Sequence, residues 1–133
     1  MARHFTLIAL ALVLLAACGG QATPAAPAVT PDDVAREFVT ALGSWEETTL
    51  RRIAVAGTAT DVRLTSQHGE WRDWTENRLG PQQSVEITES TVDGNRAELV
   101  VRSLHEKGES GVRLSMVLID DVWRVEAWHS YRP

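Results

Sequence analysis

Basic residues and cysteine are both scarce in this sequence of 133 residues. It has 13 lysines and arginines against 18 aspartates and glutamates, so it lacks the basic surplus with which nucleic-acid binders neutralise phosphates. Its single cysteine excludes a disulfide-stapled mini-protein. Hydrophobic residues make up 44% of the chain, which excludes a collagen-like or long disordered polymer and is ordinary for one small globular domain.

The densest apolar block lies at the start of the chain and ends on that cysteine. Arg3 and His4 precede a run of 13 residues, Phe5 to Ala17, which only Thr6 interrupts. This run is too short to span a bilayer, which takes about 20 residues, but it suits the apolar core of a secretory signal. We therefore expect residues 1–17 to be a signal peptide.

The segment Leu15-Ala16-Ala17-Cys18 resembles the bacterial lipobox. This resemblance implies cleavage before Cys18, a diacylglyceryl thioether on its sulfur, and an amino group acylated by a fatty acid such as palmitate. The mature protein would then be a lipoprotein held at a bacterial membrane, outside the cytoplasm. An ordinary signal peptide with an unrelated cysteine is the alternative. Residues 18–29 are uncharged and rich in Ala and Pro, which predicts a flexible tether ahead of one domain at 30–133.

That domain is predicted to begin with helices. Residues 30–33, Thr-Pro-Asp-Asp, are typical of a helix start, and Gly43 is expected to end this helix. Residues 44–47, Ser-Trp-Glu-Glu, match a capping box for a second helix that ends at Gly57. The apolar face of the second helix is formed by Leu50, Ile53 and Ala54.

The segment from 58 to 80 predicts two further helical pieces. One begins at residues 60–61, Thr-Asp, and continues to Gln67. The other covers 70–79 and carries Trp71 and Trp74 on one face, since they are three residues apart.

From Ser84 onward the apolar residues recur with a period of two, which indicates strands. Four such runs with short connections predict an antiparallel meander with one apolar face. The expected fold class is therefore α+β, with N-terminal helices packed on a curved four-stranded sheet.

The strand register can be predicted from the connections. At 92–94, apolar matching favours a three-residue turn that places Ile87 opposite Leu99, and a two-residue turn at 93–94 is the alternative. At 120–121 a two-residue turn is predicted. It pairs Leu118 with Trp123 and Met116 with Val125. The connection at 106–110 leaves its register open.

The chain resembles the nuclear-transport-factor-2-like (NTF2-like) superfamily, which includes polyketide-cyclase-like members. The similar segments are TPDDVAREF at 30–38, DVWRV at 121–125, and WHS at 128–130. The resemblance implies a cone in which helices and a curved sheet enclose a pocket. Some members are isomerases, dehydratases or epoxide hydrolases, and many have no known activity. Another helix-on-sheet fold, such as a cystatin-like roll, is the alternative.

The candidate site residues lie on the predicted inner face of the sheet. They are Glu89, Ser103, His129 and Tyr131, which the predicted register places near strand ends, with Glu89 facing Ala97 and His129 facing Val112. A buried carboxylate near a histidine suits general-base chemistry. The alternative is that these residues mark where the core meets solvent.

The tryptophans divide between core and surface. Trp71 and Trp74 are either pocket residues that stack on a flat ligand or the core face of their helix. Trp123 is predicted to be core, and Trp128 to point to the outer face of the sheet. There it would join Val100, Val117 and Ile119 in an apolar patch suited to a homodimer.

No metal or cofactor is expected. The histidines of the domain, His68, His105 and His129, lack metal-ligand spacing, and no phosphate loop, dinucleotide or nucleophile-elbow motif occurs. The enzymes of the resembling superfamily place aspartates in the pocket, which the predicted inner face lacks. We therefore expect a membrane-tethered, non-catalytic domain that binds a small ligand or an envelope protein. The alternatives are a small isomerase or hydrolase using Glu89 or His129 as base, and a dimerising interaction module.

Overall fold

The computed structural model describes residues 29–57, 64, 71 and 73–133. In this part of the chain helices precede a curved antiparallel sheet whose strand order is the sequence order, which confirms the predicted α+β class. The helices are α1 (Pro31–Ser44), α2 (Glu47–Ile53) and a π-helix (Trp74–Leu79). The strands are β1 (Gln82–Asp93), β2 (Arg96–His105), β3 (Gly108–Ile119) and β4 (Val122–Tyr131). The predicted signal peptide, Cys18, most of the tether and nearly all of the predicted 60–67 helix lie outside the described residues.

The start of α1 is the predicted one. Thr30 is the N-cap, and its Oγ1 accepts a hydrogen bond from the Asp33 amide at 3.2 Å. The Asp33 carboxylate in turn accepts from the Thr30 amide at 3.1 Å, which completes a capping box. The Thr30 hydroxyl also donates to this carboxylate at 2.8 Å, and this bond, followed by the one from the Thr30 amide, lowers the pKa of Asp33.

The junction between α1 and α2 differs from the prediction. α1 continues through Gly43 to Ser44, and Trp45 closes it in a left-handed conformation with φ of 52°. Because Ser44 belongs to the last turn of α1, it does not cap α2, whose N-cap is Glu46 without a side-chain cap bond. The predicted capping box at 44–47 is therefore wrong.

The second helix also ends earlier than Gly57. It stops at Ile53, and Ala54 forms a parallel bridge with Val125 of β4. The amide of Val55 donates to the carbonyl oxygen of Val125 at 2.9 Å. The chain after α2 thus covers part of the outer edge of the sheet, and this pairing overrides the glycine stop signal.

Strands β2 and β3 form the regular centre of the sheet. They pair without interruption from Arg96 with Val117 to His105 with Gly108. The connection whose register the sequence left open is therefore a two-residue turn at 106–107.

The predicted register of β1 with β2 is wrong. The turn is at 94–95, with Asp93 opposite Arg96, and Gly94 adopts φ of +58°. Further along, Ile87 pairs with Val101 instead of Leu99: this turn alone would place Ile87 opposite Arg102, and a bulge that sets Thr88 outside the ladder moves it to Val101. Neither of the two predicted turns has this register, since the turn residues themselves are 94–95 and not 92–94 or 93–94.

The predicted turn at 120–121 is confirmed. Asp120 and Asp121 both adopt positive φ, 50° and 61°, as the favoured two-residue hairpin turn requires. The observed pairs are Leu118 with Trp123 and Met116 with Val125, as predicted. A second bulge follows, because Ser115 pairs with Ala127 and Glu126 is the extra residue.

Both hairpin tips and the start of α1 lie at the same end of the domain. The amide of Leu118 donates to the carbonyl oxygen of Asn95 at 2.8 Å, which joins the two tips. The hydroxyl of Ser90, near the first tip, donates to the Asp32 carboxylate at 2.7 Å. Helix α1 therefore runs antiparallel to β1, away from the tips.

The core lies between the inner face of the sheet and the helices. Its largest fully buried side chains include Phe38, Leu42, Leu50, Leu99, Leu114 and Trp128. Trp123 is half-buried and packs against this cluster, in agreement with its predicted core position. Within the described residues no helix combines the length and apolarity that crossing a membrane requires.

Candidate functional site

Four buried polar residues lie at the end of the domain opposite the hairpin tips. Their positions follow from the regular β2–β3 ladder, which places Ser103 opposite Ser110 and sets His105 two residues further along the same face. They are Ser103, Ser110, His105 and Thr75, of which Thr75 lies in the π-helix and donates to the carbonyl oxygen of Trp71 at 3.1 Å. Ser103, Ser110 and His105, together with the half-buried Gln82, form what we call the inner polar cluster.

His105 connects this cluster to the loop before β1. Its Nδ1 lies 3.1 Å from the carbonyl oxygen of Gly80, and its Nε2 lies 3.1 Å from the hydroxyl of Ser110. A carbonyl oxygen only accepts, so Nδ1 carries the proton and donates. With this tautomer, Nε2 is the acceptor for the Ser110 hydroxyl.

Gln82 connects the cluster to α1. Its side-chain amide donates to the carbonyl oxygen of Val39 at 3.2 Å and to the hydroxyl of Ser103 at 3.1 Å. Gly43 allows this approach, because a Cβ there would lie 2.7 Å from the Gln82 carboxamide carbon. The glycine predicted to end α1 therefore makes room for a helix–sheet contact.

The chemical capacity of the cluster is limited by its own hydrogen bonds. Activated serine nucleophiles have a similar arrangement, in which the hydroxyl is hydrogen-bonded to one nitrogen of a histidine and an acceptor orients the other nitrogen. Here, however, Ser110 is 5% exposed and His105 is 6% exposed. Each bond of His105 joins two segments of the fold, and the amide of Lys107 also donates to the Leu79 carbonyl oxygen at 2.8 Å. The arrangement fastens the 79–81 loop to the sheet.

Of the four predicted inner-face candidates, only Ser103 lies on that face. Glu89 does not face Ala97. It pairs with Val100 on the outer face and is exposed. The bulge at Thr88 shifts the alternation by one residue, so that Ser90, opposite Leu99, takes an inner position.

His129 and Trp128 exchange their predicted faces for the same reason. The bulge at Glu126 places Trp128 opposite Leu114, where it is 1% exposed, whereas the exposed His129 lies opposite Arg113 on the outer face and not opposite Val112. The predictions that Trp128 lies on the outer face and His129 on the inner face are therefore wrong.

Tyr131 is also an outer residue. It pairs with Gly111, and its ring lies flat against that glycine, because a Cβ at Gly111 would be 2.3 Å from the Tyr131 Cζ. The guanidinium of Arg113 lies 5.6 Å from the centroid of the same ring.

The two tryptophans predicted to share one helical face are separated. Trp71 is a core residue whose Nε1 donates to the carbonyl oxygen of Leu42 at 2.6 Å and whose ring meets Trp128 edge to face at 5.3 Å. Trp74 begins the π-helix and is half-exposed, in contact with Arg78 and Arg132.

The outer face of the sheet is mostly polar. Glutamates pair across it with arginines: Arg96 with Glu126 at 2.7 Å and Arg102 with Glu86 at 2.8 Å. Val100 and Val117 are half-buried there, and Ile119 is exposed. The predicted apolar patch thus lacks Trp128, its largest predicted member.

The sequence did not identify His105 or Gln82 as site residues. The signal was present, since the inner positions of β2 alternate without a break as Ala97, Leu99, Val101, Ser103 and His105. His68 and Cys18 lie outside the described residues, within which no cluster of metal-ligating side chains occurs.

Comparisons with solved structures agree on the fold. A Campylobacter jejuni protein provisionally named an NTF2-like transpeptidase superposes with a TM-score of 0.59 at 18% identity, over 72% of this chain and 96% of its own. An NTF2-like protein of unknown function from Shewanella baltica gives 0.53 at 15% identity, over 77% and 92%. Another, from Silicibacter pomeroyi, gives 0.53 at 16%, over 75% and 92%.

These likenesses show an NTF2-like fold, as the sequence resemblance implied. No protein-family model matches the sequence, and no curated protein matches it either.

Proposed function

We propose that this chain is an extracytoplasmic lipoprotein domain, held at a bacterial membrane by lipid on Cys18, that binds a small ligand or an envelope protein without catalysing a reaction. The N-terminal pattern supports the anchor. It combines a basic start, an apolar run of signal length, small residues before the cysteine, and a Pro/Ala-rich stretch after it.

The placement of the polar residues on the sheet supports a binding role over catalysis. The two residues that suited a general base, Glu89 and His129, lie on the outer face of different edge strands. The inner polar cluster is joined by hydrogen bonds between Gln82 and Ser103 and between His105 and Ser110, and these also fasten α1 and the 79–81 loop. Polar groups so engaged stabilise the fold and are not available to a reacting substrate.

The enzyme alternative has less support. Acyl transfer of the kind named for the Campylobacter protein needs an accessible nucleophile, and the Ser110 hydroxyl is enclosed and bonded to His105. The dimer alternative has less support as well. Ion pairs between arginines and glutamates lie among the valines on the outer face of the sheet, and the buried centre of a protein interface is depleted in charged residues.

Fatty-acid labelling in the native host tests the proposed anchor. Cells producing the chain or its Cys18→Ala variant are fed an alkyne fatty acid, lysed, and separated into membrane and soluble fractions. The unchanged chain should carry the label and be found in the membranes, and Cys18→Ala should carry none. Equal labelling of both chains, or an unlabelled chain cleaved elsewhere and released, would reject the anchor.

Site-specific photo-crosslinking tests the binding role in the same cells. A crosslinking residue is placed at one exposed position after another, with Thr48 of α2 as one of them. A discrete crosslinked species from one surface and none from the others would support a binding role. Turnover of a substrate that depends on Ser110 or His105 would contradict it.

A further inference from the structure

One corner of the domain combines aromatic rings with arginines. It lies where β4 ends beside the π-helix, and we call it the basic corner. Its members are Trp74, Arg78, Arg113, Tyr131 and Arg132. The guanidinium groups of Arg78 and Arg132 lie 5.7 Å and 5.5 Å from the centroid of the same indole ring.

The arginines of this corner differ in their partners from the other described arginines, of which Arg36 and Arg124 donate to backbone carbonyl oxygens. Four others donate to a glutamate each, namely Arg51, Arg52, Arg96 and Arg102. In contrast, within the described residues Arg113 and Arg132 have an aromatic ring as partner and no carboxylate at ion-pair distance. Arg78 reaches Asp73 only at 4.0 Å.

Arg113 and Arg132 thus have no paired carboxylate among the described residues, on a chain whose formal charge is −5. Two guanidinium groups on one ring repel each other, and a bound anion would relieve that repulsion. A guanidinium stacked on an aromatic face keeps its N–H edge free for a carboxylate, and its position is already fixed. The corner is therefore prepared for an anionic partner, and its half-exposed rings add flat apolar contact area.

We infer that the basic corner binds an acidic polypeptide segment of a partner protein. The inference rests on the proposed binding function, for which it names the surface and the chemistry of the partner. Trp, Tyr and Arg are the residue types that dominate binding energy at protein–protein interfaces. The acidic surface elsewhere, including Asp93, Asp120 and Asp121 at the hairpin tips, repels the same segment and directs it to this corner.

A peptide-binding measurement on the full chain in neutral detergent tests this inference. Fluorescence anisotropy follows a dye-labelled oligoglutamate peptide, with oligolysine and polyphosphate of similar length as parallel probes. The doubly substituted variant Arg78→Gln/Arg132→Gln should bind oligoglutamate at least roughly fivefold more weakly. The matched control Arg51→Gln/Arg52→Gln removes the same charge from exposed positions on α2, and its affinity should stay within about twofold of the unchanged chain. Circular dichroism shows that both variants fold.

Three results would overturn the inference. They are equal weakening by the two double variants, binding of polyphosphate without binding of oligoglutamate, and binding of oligolysine at the corner. Photo-crosslinking separates this failure from failure of the proposed function. If the chain with Arg78→Gln/Arg132→Gln still crosslinks to its envelope partner, the domain binds through another surface and only the assignment of the corner is wrong.

Discussion

The central strands and the edge strands of this sheet are built differently. Strands β2 and β3 pair over ten consecutive residues without irregularity. Each edge strand carries a bulge in its middle, at Thr88 in β1 and at Glu126 in β4, and β1 has a second irregularity at Gln83, near its start. The two central strands thus form a regular ladder. In each edge strand, the bulge inverts which residues point to the inner face of the sheet.

The bulges in the edge strands explain how the sheet curves around α1 while its core stays continuous. A bulge bends its strand and increases the local twist, and two of them on opposite edges bend both sides of a straight centre. The bulge in β4 also turns Trp128 inward, where its ring meets Phe38 edge to face at 6.4 Å and Trp71 at 5.3 Å. The edges therefore supply the curvature, and β4 supplies the largest side chain of the core.

The greatest loss of stability should come from deleting a single residue of a central strand. Deleting Val100 from β2 shifts the pairing with both neighbours and turns one side of the central ladder inside out, so we expect no cooperative unfolding transition. Deleting Thr88 removes only the extra residue of the bulge and leaves Glu89 opposite Val100. That variant should stay folded and lose about 1 kcal/mol, in part from the lost Thr88 hydroxyl bond to the Val100 carbonyl. Thermal unfolding followed by circular dichroism measures both, and equal damage from the two deletions would contradict the distinction between centre and edge.

A smaller loss of stability should distinguish two neighbouring residues of edge strand β4. Trp128→Ala should destabilise the domain by about 4 kcal/mol, because it empties a large buried site. His129→Ala should cost less than about 0.5 kcal/mol, since the side chain is exposed on the outer face. Urea unfolding gives both free energies. The reverse order would mean that β4 runs without a bulge and that the predicted facing was right.

The smallest effect concerns the helix start that touches edge strand β1. Thr30→Ala removes the hydroxyl that caps α1, which should cost about 1 kcal/mol in urea unfolding. Thr40→Ala is the matched control, because Thr40 is exposed within the same helix, and its cost should be near zero. Equal costs would show that the cap does not stabilise α1.

The same variant changes the acid response. The hydrogen bonds from Thr30 hold the pKa of Asp33 below its ordinary value of 3.8. A carboxyl group whose pKa is lower in the folded state contributes stability that is fully present above its pKa in the unfolded chain. This stability is lost as the pH falls through its pKa in the folded state. In Thr30→Ala, an NMR titration of the Asp33 carboxyl should show its pKa rising toward 3.8, and an unchanged pKa would assign the shift to the retained backbone amide of residue 30 instead of the hydroxyl.

Local chemistry made parts of this fold predictable. Thr30 and Asp33 cap a helix wherever it is packed, and two adjacent aspartates at 120–121 accept the positive φ of a tight hairpin. The fold class followed from the change of apolar period at Ser84. These features depend on residues close together in sequence, so one chain is enough to recognise them.

The faces of the edge strands were not predictable in the same way. Nothing in the residues around Thr88 or Glu126 marks a bulge, because the curvature that favours it comes from packing against the helices. The predicted site failed with them, since Glu89, His129 and Tyr131 all follow a bulge on their own strands. Trp45 shows the same limit, because its left-handed conformation is set by the joint between two helices.

The shared location of the hairpin tips and the start of α1 has a mechanical consequence. Strand β4 has 10 residues, which gives it a length of roughly 33 Å, and it runs from those tips to Arg132. If the proposed lipid on Cys18 holds the chain through the residues before Thr30, the domain would pivot at the end with the hairpin tips and carry the basic corner at the other end. Small rotations at the pivot would then move that corner over a wide range of positions around the proposed anchor.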